Sequence, residues 1–117
     1  MKVNQLVSLS KQLAIDIINL CSNLKDNKKG SVLTNQLLRC GTSIGANIRE
    51  GNYASSRQDF INKFQIALKE CYETEYWLEL FVETKIITQD EYSSLISSCN
   101  KIRKLLVASI NTAKSAQ

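Results

Sequence analysis

Apolar residues recur at every third or fourth position along four stretches of this chain, and polar residues fill the opposite side of each stretch. The first stretch has apolar residues at Leu6, Leu9, Leu13, Ile17, Leu20 and Leu24, with Val7, Ala14, Ile18 and Cys21 widening the same face. This spacing is typical of an amphipathic helix that packs on a core. Read in the same way, the whole chain predicts helices over about residues 3–27, 31–51, 56–84 and 88–114.

The third predicted helix has the strictest pattern. Its apolar positions alternate steps of four and three residues, as in a heptad seam: Phe60, Phe64, Ala67, Cys71, Thr74, Leu78 and Phe81. The second helix has a shorter apolar line at Leu33, Leu37, Gly41, Ile44 and Ile48, and the fourth has one at Leu95, Ile96, Cys99, Ile102, Leu105, Leu106 and Ile110. We expect these residues to form one core.

Residues suited to helix ends stand at the borders of the four patterns. Ser56-Arg57-Gln58-Asp59 and Thr88-Gln89-Asp90-Glu91 have the form of capping boxes that open the third and fourth helices. Gly30 suits a left-handed cap after the first helix, and Ser31 suits the N-cap of the second. Gly51 and Asn52 are good terminators of the second helix. The connections are therefore short.

Short connections between four long helices predict an all-α fold, an up-down-up-down antiparallel four-helix bundle over residues 1–117 as a single domain. The absence of proline from the sequence fits long uninterrupted helices. No apolar run approaches the roughly 20 residues of a membrane span. Polar residues such as Asn4, Gln5 and Ser8 interrupt the N-terminal segment, so it does not resemble a signal peptide. We expect a cytoplasmic protein without membrane contact.

Gly41 and Gly45 lie inside the second predicted helix, where each glycine costs about 1 kcal/mol relative to alanine. Spaced four residues apart, they occupy neighbouring turns of one face. Such a pair lets another helix come unusually close. We therefore predict a tight helix contact at these two positions.

The sequence contains no histidine, and its cysteines, Cys21, Cys40, Cys71 and Cys99, form no CxxC pair. We expect reduced thiols that serve as small core residues, with no metal and no cofactor. A carboxylate di-iron centre needs Glu-x-x-His on two helices and is excluded. Without histidine the usual nucleophile–base pairs are also unavailable, so we predict that the protein is not an enzyme.

The formal charge of +4 allows contact with nucleic acid. Eight basic residues are candidates for phosphate contacts: Lys28, Lys29, Arg39, Arg49, Arg57, Lys101, Arg103 and Lys104. The alternative is that Lys101, Arg103 and Lys104 pair with glutamates of the third helix, namely Glu70, Glu73 and Glu79; in antiparallel helices, Glu73 comes level with Lys101. The aromatic residues Tyr53, Tyr72, Tyr76 and Trp77 suit base stacking, but within the third helix we favour packing.

Two stretches resemble a known family. RCGTSIGANIREG, and then the SRQDF start with IALKECYETEYWLEL, are similar to a family of bacterial four-helix-bundle proteins. That family includes proteins encoded in intervening sequences of 23S ribosomal RNA genes and accessory proteins of diversity-generating retroelements. The similarity covers about residues 5–110. Matching positions are Arg39, Ser43, Ile44, Asn47, Glu50, Gly51, Asp59, Phe60, Ala67, Glu70, Glu73 and Trp77, and Arg49 replaces the alanine usual before Glu-Gly.

This resemblance implies an up-down bundle that closes into a ring of five subunits, a homopentamer. It also implies, for retroelement members, binding of nucleic acid and of a reverse transcriptase through basic surfaces. Two hypotheses stay open. The first is a non-catalytic, ring-forming protein that binds RNA or DNA. The second is a protein-binding scaffold whose charges serve self-assembly only.

Overall fold

The computed structural model describes residues 2–24 and 30–116, with side chains described from residues 5 and 32 onwards in these two ranges. It contains four α-helices: α1 (Lys2–Leu24), α2 (Gly30–Asn52), α3 (Arg57–Glu83) and α4 (Gln89–Ser115). No strand occurs in these ranges. The all-α fold class is therefore confirmed. The observed ends lie within one residue of the predicted ones, except that the predicted end of the first helix at Asn27 lies outside the described residues.

Each helix packs against two neighbours, in the cyclic order α1, α2, α3, α4, and the bundle measures 49 × 22 × 19 Å. Consecutive helices run in opposite directions. Gly41 of α2 lies beside Ile17 of α1, whereas Gly45, one turn later, lies beside Ser10. Likewise Arg39 contacts Glu73 of α3, whereas Glu50 contacts Lys63. These contacts give the predicted up-down-up-down arrangement.

The core forms along the predicted seams, with a shift at the start of α3. Phe64, Ala67, Cys71, Thr74, Leu78 and Phe81 are buried as predicted, but Ile61 takes the first place instead of Phe60. Phe60 is half-buried, and its ring packs edge-on against Phe64 with the centroids 4.1 Å apart. Phe60 therefore packs against the edge of the core and not at its centre, because Phe60 and Ile61 border the same seam and only one of them points directly inward.

Two details of α1 also differ from its pattern. Ile18, assigned to the core face, is 45% exposed, whereas the serine Ser10 is only 1% exposed. The Ser10 hydroxyl donates a hydrogen bond to the Val7 carbonyl oxygen at 3.3 Å. This local bond allows a hydroxyl to be buried. As a result, a small polar residue fills the space opposite Gly45, where a large apolar side chain would not fit.

Side-chain caps fix the starts of α3 and α4. The Ser56 hydroxyl accepts a hydrogen bond from the Asp59 amide at 3.1 Å, and Thr88 and Glu91 form the complete reciprocal box. Between the two helices the chain turns at Lys85, which has a φ of 64°. The predicted caps at α3 and α4 are thus confirmed.

The predicted boundary between α1 and α2 was wrong at both named residues. Gly30 is the first residue of α2 and not a left-handed cap, and Ser31 is therefore within α2 and not before it. No glycine in the described ranges has a positive φ. Glycine can adopt negative as well as positive φ values, so its identity alone does not fix a helix end.

The three other glycines mark close contacts of α2. A β-carbon on Gly41 would lie 2.4 Å from Cδ1 of Ile17, and one on Gly45 would lie 3.3 Å from the Ser10 hydroxyl. The predicted tight contact at Gly41 and Gly45 is thereby confirmed. Gly51 serves the same purpose towards α3, because a β-carbon there would lie 2.7 Å from the Phe64 ring. Its interpretation as a mere terminator missed this contact.

Candidate functional site

The two sequence stretches that resemble the known family meet at the junction of α2 and α3. Arg39 of α2 forms ion pairs with Glu73 and with Glu70, the latter at 3.4 Å between Nη1 and Oε2. Trp77 donates its indole N–H to Glu73 Oε2 at 3.2 Å. We refer to Arg39, Glu70, Glu73 and Trp77 as the Arg39 cluster. Its members were named from sequence, but their mutual contacts were not predicted.

The Arg39 cluster is a surface feature with satisfied charges. The Arg39 side chain is 51% exposed, and the hydrogen bond that it donates to Glu73, together with the charge of Glu73, raises the pKa of Arg39. Two carboxylates surround one guanidinium, so the cluster carries no surplus positive charge. Arg39 is consequently occupied in holding α2 to α3 and offers little to a phosphate.

The other motif residues on α2 have local structural roles. The Ser43 hydroxyl donates to the Arg39 carbonyl oxygen at 2.7 Å, and the Asn47 amide donates to the Ser43 carbonyl oxygen at 2.9 Å. Glu50 forms an ion pair with Lys63 at 3.1 Å, next to the contact between Gly51 and Phe64. The motif residues on α2 therefore donate hydrogen bonds to carbonyl oxygens of their own helix and attach that helix to α3.

A second charged group joins α3 to α4. Arg103 Nε lies 3.2 Å from Glu75 Oε2, and Arg103 Nη2 lies 2.8 Å from Asn100 Oδ1. The guanidinium also lies 5.9 Å from the centroid of the Tyr72 ring, within range of a cation–π contact. Both charged side chains are largely buried, at 28% and 17% exposure. Sequence reasoning missed Glu75 and Asn100, although Glu75 flanks the heptad seam as a partner for the next helix should.

The expected pair of Glu73 and Lys101 does not form. Glu73 contacts Arg39 on α2, and Lys101 is exposed with no ion pair within the described part of the chain. Two residues level along the bundle axis interact only if they also face each other, and Glu73 lies on the side of α3 that borders α2. Arg103 and Glu75 occupy the facing positions instead.

The eight candidate phosphate-binding residues fall into three groups. Arg39 and Arg103 are paired with glutamates, and Lys28 and Lys29 lie outside the described residues. The remaining four are exposed and have no ion pair in the described ranges: Arg49, Arg57, Lys101 and Lys104. Arg49 and Arg57 flank the connection between α2 and α3, whereas the two lysines lie near the middle of α4.

The aromatic residues divide between packing and exposure. Trp77 packs against the core, as favoured from sequence, and contacts the Tyr76 ring at 5.7 Å between centroids. Tyr72 and Tyr76 are 53% and 55% exposed, and Tyr53 is 89% exposed. The packing interpretation therefore holds only in part. Exposed rings suit contact with another molecule, whether a base or a protein.

The cysteine side chains lie in the core as free thiols. Burial raises the pKa of Cys40 to about 11, and a hydrogen bond with Cys71 and burial raise the pKa of Cys99. The reactive form of cysteine is the thiolate, which such environments suppress at neutral pH. Among the described residues, no group of three histidine, cysteine or acidic side chains is placed to hold a metal ion.

A groove of about 380 Å³ opens between α1 and α4, away from the Arg39 cluster. Its walls combine carboxylates and amides with two leucines: Asp16, Leu20, Asn23, Asp90, Glu91, Ser94 and Leu95. The Glu91 carboxylate accepts a hydrogen bond from the Thr88 amide, and Asp16 accepts one from Gln12. Two of the three carboxylates thus already have partners. None of the described helices is long and apolar enough to cross a membrane.

Comparison with known proteins agrees with this geometry. Residues 2–108 match the model of the family described as 23S rRNA-intervening sequence protein. The chain is also similar to a crystal structure from Bacteroides thetaiotaomicron VPI-5482, described as a protein with unknown function from the S23 ribosomal protein family. The two share 50% sequence identity and a TM-score of 0.91, over 95% of this chain and 99% of the other. No functionally curated protein matches the chain. The chain therefore belongs to the 23S rRNA-intervening sequence protein family.

Proposed function

We propose that this protein is a non-catalytic, ring-forming helical bundle that binds nucleic acid through charge. One observation carries the proposal: Arg49, Arg57 and Lys104 are exposed and have no carboxylate partner in the described ranges. The paired cations, such as Arg39 and Arg103, hold helices together. Cations with no internal partner remain available for phosphates, and this contact needs no base-reading element.

The chemistry of the buried groups supports a non-catalytic role. The sequence has no histidine, and the pKa of Cys40 is raised by burial, so this thiol is not a nucleophile at neutral pH. Glu70, Glu73 and Glu75 are held by arginines in ion pairs. Reduced cysteines also fit a cytoplasmic location, which is part of the proposal.

Exposed apolar residues support the ring. Ile15 and Ile18 are 40% and 45% exposed on α1, and Ile66, Tyr72 and Tyr76 are 41%, 53% and 55% exposed on α3. These two helices are not neighbours in the bundle, so the two patches lie on opposite sides. Different patches on opposite sides suit head-to-tail contacts, which close into a ring when the rotation allows it. We propose five subunits, as the family resemblance implies.

The proposal is tested with the wild-type protein. Mass measurement in solution should give a pentamer, and titration with short RNA and DNA of mixed sequence should give binding that weakens steeply with salt and depends little on sequence. A monomer would refute the ring, and no binding at low salt would refute the nucleic-acid function.

The second candidate is a protein-binding scaffold, with a reverse transcriptase as the partner if the gene belongs to a retroelement. The observation that favours it is the exposure of Tyr53, Tyr72 and Tyr76, because tyrosine is enriched at protein interfaces. A ring that does not bind RNA or DNA at low salt would support this candidate. The neighbouring genes would then indicate the partner.

A further inference from the structure

The charged residues of the bundle are unevenly distributed along its long axis. A plane through the middle of the four helices divides the described side chains into two halves. One half contains residues 5–12, 42–70 and 103–116, and the other contains residues 13–24, 32–41 and 71–102. We call them the basic half and the acidic half. The first has eight basic and three acidic residues, and the second has three basic and seven acidic residues.

Ion pairing within the bundle strengthens this division. In the basic half, six cations have no ion pair in the described ranges: Lys11, Arg49, Arg57, Lys69, Lys104 and Lys114. Their acidic neighbours Glu50 and Glu70 are already paired, which leaves Asp59. The unpaired cations come from all four helices and surround the basic half on every side.

The acidic half has the opposite character. Its unpaired cations in the described part are Lys85 and Lys101, and its carboxylates include Glu79, Glu83 and Asp90. Burial, followed by the charges of Glu79, Glu75 and Glu83, raises the pKa of Tyr92 in this half. Residues 25–29, between α1 and α2 in the sequence, contain three lysines and one aspartate. Acidic residues remain in excess with that segment included.

We infer that the phosphodiester backbone of a nucleic acid binds only to the basic half, at the end where α2 passes into α3, and is repelled from the acidic half. This inference rests on the proposed function and gives its binding site a location. Arg49 and Arg57 are central to it because they stand on either side of the connection between those helices. In a ring of parallel bundles, one face would then be basic and the other acidic, so RNA would bind on one face.

Two double variants with equal change of charge test the location. The first is Arg49→Glu with Arg57→Glu, and the matched control is Lys85→Glu with Lys101→Glu in the acidic half. All four residues are exposed, and none has an ion pair in the described ranges. Each protein is titrated with a short single-stranded RNA over a range of salt concentrations. Circular dichroism and mass in solution are measured alongside.

The basic-half variant should lose about tenfold or more in affinity at low salt, and its salt slope should fall by roughly 2. The control should stay within roughly twofold of the wild type, since Lys85 and Lys101 lie in the acidic half, away from the connection between α2 and α3. Equal losses in both variants would refute the location while leaving nucleic-acid binding intact, because net charge alone would then decide affinity. A larger loss in the control would refute it as well.

A separate result concerns the proposed function. If the wild-type protein does not bind RNA at low salt, the nucleic-acid function fails and the location fails with it. If Arg49→Glu with Arg57→Glu does not fold, Lys104→Glu with Lys114→Glu replaces it, since both lysines are exposed on α4 in the basic half. The same loss of affinity is then expected, and unchanged affinity in this folded variant would refute the location.

Discussion

The interface between α2 and α3 and the interface between α1 and α4 are built very differently. The first is the most extensive contact of the bundle, and it contains the close approach of Gly51 to Phe64, the Arg39 cluster and the ion pair of Glu50 with Lys63. The second is the least extensive contact. In the described ranges it has no ion pair or side-chain hydrogen bond between its helices, and a groove opens along it.

This difference indicates that the α2–α3 interface fixes the relative position of its helices, whereas the α1–α4 interface only completes the bundle. Close packing and paired polar groups fix the relative position of two helices, because a shift would lose several contacts at once. The interface of α1 and α4 joins segments that are far apart in sequence and depends on apolar burial alone. We expect substitutions at α2–α3 to be costly and substitutions along α1–α4 to be tolerated.

The largest effect is expected from Gly51→Leu. A β-carbon at this position would already lie 2.7 Å from two ring carbons of Phe64, so a leucine must displace that ring. Overpacking of this kind costs about 1–3 kcal/mol or more, and urea denaturation measures it as a loss in the free energy of unfolding.

The matched control for that variant is Ser94→Leu, in the wall of the groove between α1 and α4. Ser94 is exposed, so the leucine has room and the free energy of unfolding should change by about 0.5 kcal/mol or less. Similar losses at both positions would contradict the proposed difference between the interfaces.

The sequence predicted most of what depends on local chemistry. The periodic spacing of apolar residues, such as Leu13 and Ile17 in α1, predicted the positions of four helices. The hydroxyls of Ser56 and Thr88 marked the starts of two of them, because a cap needs only neighbouring residues. The roles of residues whose partners are distant were harder to predict. Gly51 suited a helix end and a close contact equally well, and only the position of Phe64 distinguishes the two.

The candidate site was predicted as a set of residues and not as an arrangement. Arg39, Glu73 and Trp77 were singled out, yet the pairing of Arg39 with Glu73 depends on which side of α3 borders α2. Spacing along one helix gives the position of a side chain along the bundle axis but does not show which neighbouring helix the side chain faces. For the same reason, Lys101 was expected to pair and is exposed.

The next effect in size is a pH dependence centred on the α2–α3 interface. Cys40 has a pKa of about 11 in the folded protein against an ordinary value of 9.0, so the unfolded chain loses this proton first as pH rises. The contribution of Cys40 to the free energy of unfolding is therefore fully present below pH 9 and is lost between pH 9 and 11. At pH 10 the loss from this group is about 1 kcal/mol. Denaturation at several alkaline pH values measures it.

The variant Cys40→Ala provides the control for that dependence. It should be less stable than the wild type at neutral pH, because it leaves a small cavity in the core. Its further loss between pH 8 and pH 10 should nevertheless be smaller than in the wild type by about 1 kcal/mol. An alkaline loss equal to that of the wild type would show that Cys40 is not its source.

A smaller effect is expected from Thr74→Val, again at α2–α3. The buried Thr74 hydroxyl donates to the Glu70 carbonyl oxygen at 2.8 Å and contacts Cys40 Sγ at 3.3 Å. Valine keeps the shape of the side chain and removes these bonds, which should cost about 1 kcal/mol. The midpoint of urea denaturation should fall while its slope stays constant. A variant as stable as the wild type would mean that this polar contact adds nothing to the interface.

The smallest effect is expected from Ser109→Ala on α4, the helix that closes the bundle against α1. Ser109 is 8% exposed, and its hydroxyl has no hydrogen-bond partner among the described residues. Burying a hydroxyl without a partner is unfavourable, and alanine has the higher helix propensity, so the substitution removes a cost and loses no bond. The free energy of unfolding should stay within about 0.5 kcal/mol of the wild-type value or rise slightly. The comparison with Thr74→Val is direct, because each variant removes one buried hydroxyl from a helix interior. If Ser109→Ala lowered the free energy of unfolding by 1 kcal/mol or more, as Thr74→Val is expected to do, α4 would also depend on a specific polar contact. The contrast between the two interfaces would then not extend to their buried hydroxyls.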